Sequence, residues 1–113
     1  MQNLDLNDLV AECERAGQRW REFLRVPSLS MGVYRLQAGQ TDEQQPHTED
    51  EVYYVLRGKA VFRADGREQA VAPGSIFFVE RAAEHRFVDI SEDLTVLVFF
   101  APPEGSLKDG GSR

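Results

Sequence analysis

The sequence lacks most features of a secreted or membrane-anchored protein. Cys13 is the only cysteine, which excludes an internal disulfide and favours a reducing compartment. No apolar run approaches the roughly 20 residues that a membrane-spanning helix requires. The first residues show no positively charged stretch followed by an apolar one, so no signal peptide is predicted. We therefore expect a soluble, cytoplasmic protein.

Basic residues are also too scattered to form a surface for nucleic acid or anionic lipid. The chain has 13 Lys and Arg against 19 Asp and Glu, a net charge of −6 at pH 7. Proteins that bind phosphate backbones or anionic membranes typically cluster their positive charges. We expect neither partner, and the length of 113 residues predicts one domain with one core.

One helix is predicted near the N-terminus. Over residues 4–16 the apolar side chains recur at the i, i+3, i+4, i+7 spacing of an amphipathic helix: Leu6, Leu9, Val10 and Cys13. Asp5 or Asn7 is available as the N-cap, and Gly17 ends the helix. We expect residues 1–18 to cap one end of the fold and to bury the apolar side of this helix.

The remainder of the chain predicts strands. Short runs of Val, Phe, Tyr and Leu are interrupted roughly every 8 to 12 residues by Gly, Pro or Asp, which is typical of an all-β sandwich or barrel. The predicted strands are 21–26, 29–37, 52–56, 59–63, 68–72, 75–79, 85–88 and 94–101. Asp65-Gly66 predicts a type I′ hairpin, and Arg57-Gly58 and Pro73-Gly74 predict further turns. The barrel domain is expected to span residues 19–103, followed by a flexible tail at 104–113.

Ionisable residues concentrate just before one predicted strand. His47, Glu49 and Glu51 have equal parity, so in an extended chain they would project from the same face, which Tyr53 continues. The second of the two histidines, His85, comes several predicted strands later. Two imidazoles and a carboxylate from separate strands can hold a first-row metal and leave positions open for a substrate. Zinc would accept the same types of ligand.

Two segments that contain these residues, QPHTEDEVYYVLRG and PGSIFFVERAAEHRF, resemble the two motifs of the cupin superfamily. The resemblance covers roughly residues 39–89. In the first motif His47, Glu51 and Gly58 match, and in the second Gly74 and His85 match. The departures are Gln45 in place of another usual histidine, Glu80 and Ala82 in place of the usual Pro and Gly, and Asp89 in place of the terminal Asn.

The resemblance implies a double-stranded β-helix or jelly-roll barrel, here with a short N-terminal α-helix. It also implies a metal held by His47, Glu51 and His85, with Gln45 at the fourth place. Gln45 would coordinate directly or hydrogen-bond a bound water. Glu49 would replace Glu51 or support the ligands. A site with few imidazoles favours Mn, Fe or Zn, with Ni possible, over Cu.

Relatives of this kind include dioxygenases, isomerases and lyases, so the resemblance implies a metal-dependent enzyme acting on a small polar molecule. Glu49, Gln45 or Tyr53 would then transfer protons or orient the substrate. Five aromatic side chains would either contact the substrate or fill the core: Tyr34, Phe62, Phe78, Phe87 and Phe99. The alternatives are a barrel that binds a small molecule without turnover and a purely structural barrel.

A homodimer is expected, partly from the resemblance. A small sheet-rich domain has edge strands whose free backbone groups must be paired or covered, and a second copy achieves this. Residues 94–100 and 21–26 are the segments predicted to pair.

Overall fold

The computed structural model describes residues 1–107. One helix, α1 (Leu6–Arg15), precedes six strands: β1 (Trp20–Val26), β2 (Leu29–Leu36), β3 (Asp50–Ala64), β4 (Arg67–Val71), β5 (Ile76–Val79) and β6 (His85–Ala101). The predicted all-β jelly-roll fold with a short N-terminal helix is confirmed. Within the described part of the chain, no helix has both the length and the apolar character needed to cross a membrane.

Helix α1 packs on the outside of the sheet. Asp5 is its N-cap and accepts a hydrogen bond from the backbone N–H of Asp8 at 3.0 Å. The buried side chains of Val10 and Cys13 contact Val33 of β2. Tyr34, the next residue of β2, packs instead against the interior core, and neighbouring residues of a strand face opposite sides. The expectation that the helix caps a barrel end is therefore wrong, since it covers the outer face of the sheet.

Two long strands build most of the barrel. β3 and β6 have 15 and 17 residues and pair antiparallel with each other, although the sequence predicted each as two strands. The predicted turn at Gly58 is instead a point where the β3–β6 ladder shifts register, between Val55 and Val61. Gly58 has φ 105°, and a Cβ there would lie 2.5 Å from the carbonyl oxygen of Asp93. Only glycine fits at this position.

The curvature of β3 brings distant residues together. Ala64 pairs with His85 and lies 13 residues beyond Glu51 (64 − 51), which is roughly 43 Å of extended strand. Yet Oε1 of Glu51 lies 3.1 Å from Nε2 of His85. The strand must therefore bend around the barrel until its two ends face each other. The register shifts at its middle provide the local twist and bending that this requires.

The strand order is β1-β2-β6-β3-β4, with β5 paired to β3. β6 is therefore paired on both sides, and the expectation that residues 94–100 form a free edge for a second copy is wrong. β1 is an edge strand. The hairpin between β3 and β4 is confirmed, because Asp65 and Gly66 have φ 51° and 73°, as a type I′ turn requires.

Candidate metal centre

Three side chains from separate elements converge at one end of the barrel. His47 belongs to the connection before β3, Glu51 to the start of β3, and His85 is the first residue of β6. Nδ1 of His47 lies 3.4 Å from Oε1 of Glu51, and Nε2 of His85 lies 3.1 Å from the same oxygen. The three ligand atoms all lie within 4.8 Å of one another. The structure thus brings together the three residues that the two motifs implied.

The donor set fits a divalent metal. Nδ1 of His47, Oε1 of Glu51 and Nε2 of His85 are buried, and none has a hydrogen-bond partner of acceptable geometry. Buried polar atoms without partners are costly, so native proteins rarely leave three of them facing each other. Two imidazole nitrogens and a carboxylate oxygen are ligands that Mn, Fe and Zn accept. One cation would satisfy all three atoms at once.

His85 is fixed by the main chain beside it. The residue is 4 % exposed, and its Nδ1 donates a hydrogen bond to the carbonyl of Ala83 at 2.8 Å. Because Nδ1 carries the proton, the lone pair of a neutral ring lies on Nε2, which faces Glu51. The ring also packs against Tyr53 and Phe62, with centroids 5.9 and 6.1 Å away.

His47 is held by residues far away in sequence. Its Nε2 lies 3.3 Å from Oε2 of Glu104, beyond the end of β6. Its ring packs 4.8 Å from that of Phe100, and its carbonyl accepts a hydrogen bond from the N–H of Ala82 at 2.6 Å. The orientation of His47 therefore depends on segments on both sides of β6.

The surrounding charges determine the protonation of both rings. Burial favours the neutral form of His47, but the carboxylates of Glu104 and Glu51 outweigh burial and raise the pKa of this residue to about 9. Burial also opposes protonation of His85, whose pKa is nevertheless raised by Glu51. Burial would raise the pKa of Glu51, yet both histidines lower it. In the absence of metal His47 is therefore protonated at neutral pH, and a metal must displace its proton.

A cavity of about 190 Å³ opens beside His47 and Glu51. Its walls are largely apolar and aromatic, with two polar residues added: Trp20, Tyr34, Tyr53, Val98, Phe100, Gln44 and Glu104. Pockets for drug-sized ligands typically measure roughly 300–1,000 Å³. This cavity is smaller, so it suits a molecule with few non-hydrogen atoms.

Gln45, the residue expected at the fourth ligand position, does not reach this cavity. Its side chain is exposed, whereas the preceding residue, Gln44, lines the cavity. Nε2 of Gln44 donates to Asp42 at 2.7 Å, and its Oε1 accepts from the hydroxyl of Tyr53 at 3.0 Å. The expected role of Gln45 is therefore corrected: the amide that faces the site belongs to Gln44.

Glu49 faces away from the metal ligands, although equal parity placed it with them. β3 begins only at Asp50 and the chain bends at residues 48 and 49, so the parity argument fails there. The carboxylate is 1 % exposed and accepts hydrogen bonds from Thr48, from the N–H of Gly105 at 2.7 Å and from the N–H of Leu107 at 2.9 Å. Its expected role as a ligand or catalytic group is corrected to that of an anchor for the C-terminal segment.

That segment was predicted to be a flexible tail from residue 104 onward. Residues 104–107 are instead bound to the barrel through Glu49 and through Ser30, whose hydroxyl accepts a hydrogen bond from the N–H of Glu104 at 2.9 Å. The expectation is therefore wrong for these four residues. Residues 108–113, the rest of the predicted tail, lie outside the described part of the chain.

Tyr53 forms part of the cavity floor. It is fully buried, and burial raises the pKa of its hydroxyl well above the usual value. The hydroxyl therefore remains protonated and acts as a hydrogen-bond donor to Gln44. This position allows a role in orienting a ligand, while proton release at neutral pH is disfavoured.

The five predicted aromatic residues separate into three groups. Tyr34 lines the cavity. Phe62 and Phe87 are buried in the core and pack on each other with centroids 4.8 Å apart. Phe78 is 62 % exposed, and Phe99 alternates with the buried Val98 and Phe100, so neither faces the cavity. The expectation of substrate contact is wrong for these last two, and Phe100 lines the cavity instead.

Sequence reasoning missed Asp42, a buried residue behind the cavity. Asp42 is 1 % exposed and accepts hydrogen bonds from the N–H of Phe87 at 2.8 Å and from the hydroxyl of Tyr34 at 2.6 Å, in addition to Gln44. It thus fixes two cavity-lining side chains to β6. An acidic residue in the polar segment TDEQQP is expected to be exposed to solvent, and only its tertiary contacts distinguish Asp42 from Glu43.

Comparisons with known proteins agree with this fold. Residues 32–100 match the family model described as "Cupin domain". An uncharacterised protein of Streptomyces coelicolor is 43 % identical over 104 residues, which cover 92 % of this chain and 99 % of that protein. The crystal structure of a protein from Thermus thermophilus is similar with a TM-score of 0.70 at 27 % identity, covering 91 % of this chain and 99 % of that one.

Two further structures share the fold at lower identity. KdgF from a Halomonas species has a TM-score of 0.66 at 21 % identity, covering 74 % of this chain and 76 % of its own. The DMSP lyase DddQ from Ruegeria pomeroyi has a TM-score of 0.66 at 21 % identity, covering 75 % of this chain and 48 % of its own. At this level of identity the likeness concerns the fold alone.

Proposed function

This chain belongs to the cupin family, and on that premise we propose that it is a metal-dependent enzyme acting on a small polar molecule. The observation that carries the proposal is the convergence of three buried ligand atoms without hydrogen-bond partners, on His47, Glu51 and His85. They lie beside a cavity of about 190 Å³ that can hold a small ligand. Mn, Fe and Zn suit this ligand set, and Ni is acceptable.

The chain's own residues provide the environment for such chemistry. When bound, a divalent metal supplies Lewis acidity that polarises an oxygen of the substrate. Trp20, Val98 and Phe100 give the cavity apolar walls, which limit access of water. The hydroxyl of Tyr53 and the amide of Gln44, which are hydrogen-bonded to each other, add a polar patch to the cavity wall. A reaction of the dioxygenase, isomerase or lyase type is compatible with this arrangement.

Metal analysis of untagged protein tests the first part of the proposal. We expect about one equivalent of a first-row divalent metal per chain, and its loss in His47→Ala and in His85→Ala. Glu84→Ala is the matched control, because Glu84 is the exposed neighbour of His85 and its removal should leave metal content unchanged. Wild-type protein that neither contains metal nor binds added Mn, Fe or Zn would contradict the proposal.

Turnover is a separate question. Both oxygens of Glu49 are hydrogen-bonded to the C-terminal segment, and the hydroxyl of Tyr53 is bonded to Gln44. These engaged groups favour the second candidate function, a barrel that binds a small molecule without converting it. A screen of diketones, sugars and aromatic diols with metal-loaded protein distinguishes the two. Ligands that raise the melting temperature without product formation would favour the binding module.

We also propose that the protein forms a homodimer through the outer face of β3 and β5. Tyr54, Ile76 and Phe78 are 38 %, 67 % and 62 % exposed, and Tyr54 lies opposite Ile76 in the sheet register. Contiguous exposed apolar side chains of this size typically mark an interface. Light scattering should give the dimer mass for wild type and the monomer mass for Phe78→Glu. A wild-type monomer at micromolar concentration would contradict this.

A further inference from the structure

The C-terminal segment, residues 102–107, extends back over the cavity and brings Glu104 to His47. Glu104 lines the cavity, and its Oε2 lies 3.3 Å from Nε2 of His47. The match to the family ends at residue 100, so Glu104 belongs to a part of the chain that the family model does not cover. Any role of this carboxylate must be argued from its own contacts.

The backbone around Glu104 is anchored at several points. Its N–H donates to the hydroxyl of Ser30 at 2.9 Å, and its carbonyl accepts from the guanidinium of Arg25 at 2.8 Å. The N–H groups of Gly105 and Leu107 donate to the two carboxylate oxygens of Glu49. Ser30 and Glu49 are 0 % and 1 % exposed. Hydrogen bonds to these two buried side chains hold the segment, and with it the side chain of Glu104, in one place.

The two ring nitrogens of His47 face different partners. Nδ1 faces Oε1 of Glu51 at 3.4 Å, whereas Nε2 faces Glu104. A neutral imidazole binds a metal through one nitrogen while the other carries a proton, and the partner of the protonated nitrogen decides which one is free. A carboxylate next to Nε2 keeps the proton there and leaves the lone pair on Nδ1.

His85 has the same arrangement with its two ring nitrogens exchanged. Its Nδ1 donates to the carbonyl of Ala83, and its Nε2 faces Glu51. Each ring therefore has one nitrogen opposite an oxygen acceptor and the other directed at the shared carboxylate of Glu51. Glu104 therefore faces His47 as the carbonyl of Ala83 faces His85: each is an acceptor opposite the ring nitrogen that does not face Glu51.

We propose that Glu104 is a positioning residue, which holds the proton of His47 on Nε2 so that Nδ1 binds the metal. This inference rests on the proposed function, because it assumes a metal at His47, Glu51 and His85. It goes further in predicting the coordinating nitrogen of each ring, Nδ1 for His47 and Nε2 for His85. It also makes residues 102–107 part of the site.

Nitrogen-15 NMR of the zinc-loaded protein tests the inference directly. His47 and His85 are the only histidines, so the spectrum contains just two rings to assign. In wild type we expect His47 to show a zinc-bound Nδ1 and a protonated Nε2, and His85 the reverse. In Glu104→Leu the preference of His47 should be lost, with Nε2 coordination appearing, whereas His85 should not change. A wild-type His47 bound through Nε2 would overturn the inference while leaving the proposed metal site intact.

Zinc affinity, measured by competition with a chelator, provides a second readout. Glu104→Leu should bind roughly 10- to 100-fold more weakly, the usual cost of losing a residue that supports a ligand. Glu104→Gln keeps an acceptor oxygen and should recover most of this loss, which a merely electrostatic role of the carboxylate would not allow. Glu84→Leu removes an exposed charge next to His85 and should bind as wild type does.

The outcomes separate this inference from the proposed function. If wild-type protein contains no metal and binds none of zinc, Mn and Fe, the proposed function fails. If it binds zinc and Glu104→Leu retains both wild-type affinity and Nδ1 coordination, only the role of Glu104 fails. Should Glu104→Leu not fold, the wild-type spectrum and the Glu104→Gln variant still decide the matter.

Discussion

The metal centre has a floor and a rim that are built differently. The floor consists of Glu51, Tyr53 and His85, which lie on β3 and β6. The rim consists of Gln44, His47 and Glu104, which lie on irregular segments before β3 and after β6. The backbone of the floor is satisfied by the sheet ladder. The backbone of the rim has no such ladder and needs other partners.

Buried carboxylates fulfil that need. Asp42 accepts hydrogen bonds from the N–H groups of Gln44 and Phe87, and Glu49 accepts from those of Gly105 and Leu107. The difference teaches that irregular segments can be positioned as firmly as strands when a buried acid binds their main chain. The cost is that one substitution can release a whole segment. The following predictions test whether rim and floor differ in this way.

Asp42→Ala should have the largest effect on stability. The substitution leaves the N–H of Phe87 and the hydroxyl of Tyr34 without their acceptor, and each buried donor left unpaired costs roughly 1–3 kcal/mol. We expect a loss of about 3 kcal/mol in the free energy of unfolding, measured by urea denaturation. Glu43→Ala, at the exposed neighbour, is the control. Equal losses in both variants would show that Asp42 does not connect rim and floor.

Metal affinity should depend on pH because of His47, one of the rim residues. Its pKa of about 9 in the metal-free protein means that metal must displace a proton at any lower pH. Metal affinity should therefore rise by about tenfold per pH unit between roughly pH 7 and 9, as chelator competition measures. Affinity that is flat over this interval would contradict the charged rim.

The free energy of unfolding of the metal-free protein should fall over the pH range in which metal affinity rises. The folded-state pKa of His47, about 9, lies above the unfolded value, so its contribution to stability is complete below roughly pH 6.5 and is lost as pH rises through 9. Urea midpoints of metal-free protein should thus fall between these values. In His47→Gln the decline with pH should be weaker, which would show that the titration of His47 causes it.

Glu49→Gln should loosen the rim and spare the floor. The amide keeps one acceptor oxygen but replaces the other by a donor that faces a backbone N–H, so we expect a loss of roughly 1–2 kcal/mol. Hydrogen exchange should accelerate at the amides of Gly105 and Leu107, whereas the amide of Phe87, bound to Asp42, should remain protected. Uniform acceleration at all three amides would mean that rim and floor open together.

The smallest effect should come from Gln45→Ala. Gln45 is exposed, so its removal should change metal affinity and stability by no more than about 0.5 kcal/mol. Gln44→Ala, which removes the acceptor of the Tyr53 hydroxyl, should cost more in both measurements. If Gln45→Ala proved the more damaging of the two, our placement of the amide in the rim would be wrong.

The three metal ligands, two in the floor and His47 in the rim, could be predicted from the sequence, whereas the other residues that shape the rim could not. His47, Glu51 and His85 were found because their spacing to Gly58 and Gly74 follows a recognisable pattern. Gln44, Glu49 and Glu104 were missed or misplaced because their directions depend on irregular backbone, for which neither a period of two nor a helical period applies. Residues 104–107 have a tail-like composition, and only contacts distant in sequence order them.

The choice between Phe99 and Phe100 illustrates a second limit. Residues 94–100 of β6 are apolar with the exception of Thr95, because both faces of this part of the strand are covered. Such a run contains no alternation from which the inward face could be predicted. Phe77 and Phe78 pose the same ambiguity in β5, and there the structure leaves Phe78 exposed.

Gly58 has a consequence for the dimensions of the whole barrel. It lies midway along the strand whose two ends approach each other at the metal centre, and its bare Cα lets β3 touch the backbone of Asp93 and Leu94. A methyl group there would push β3 away from β6, widen the barrel and move the two ends of β3 apart. The absence of a side chain at Gly58 thus helps to keep the carboxylate of Glu51 close to the imidazole of His85.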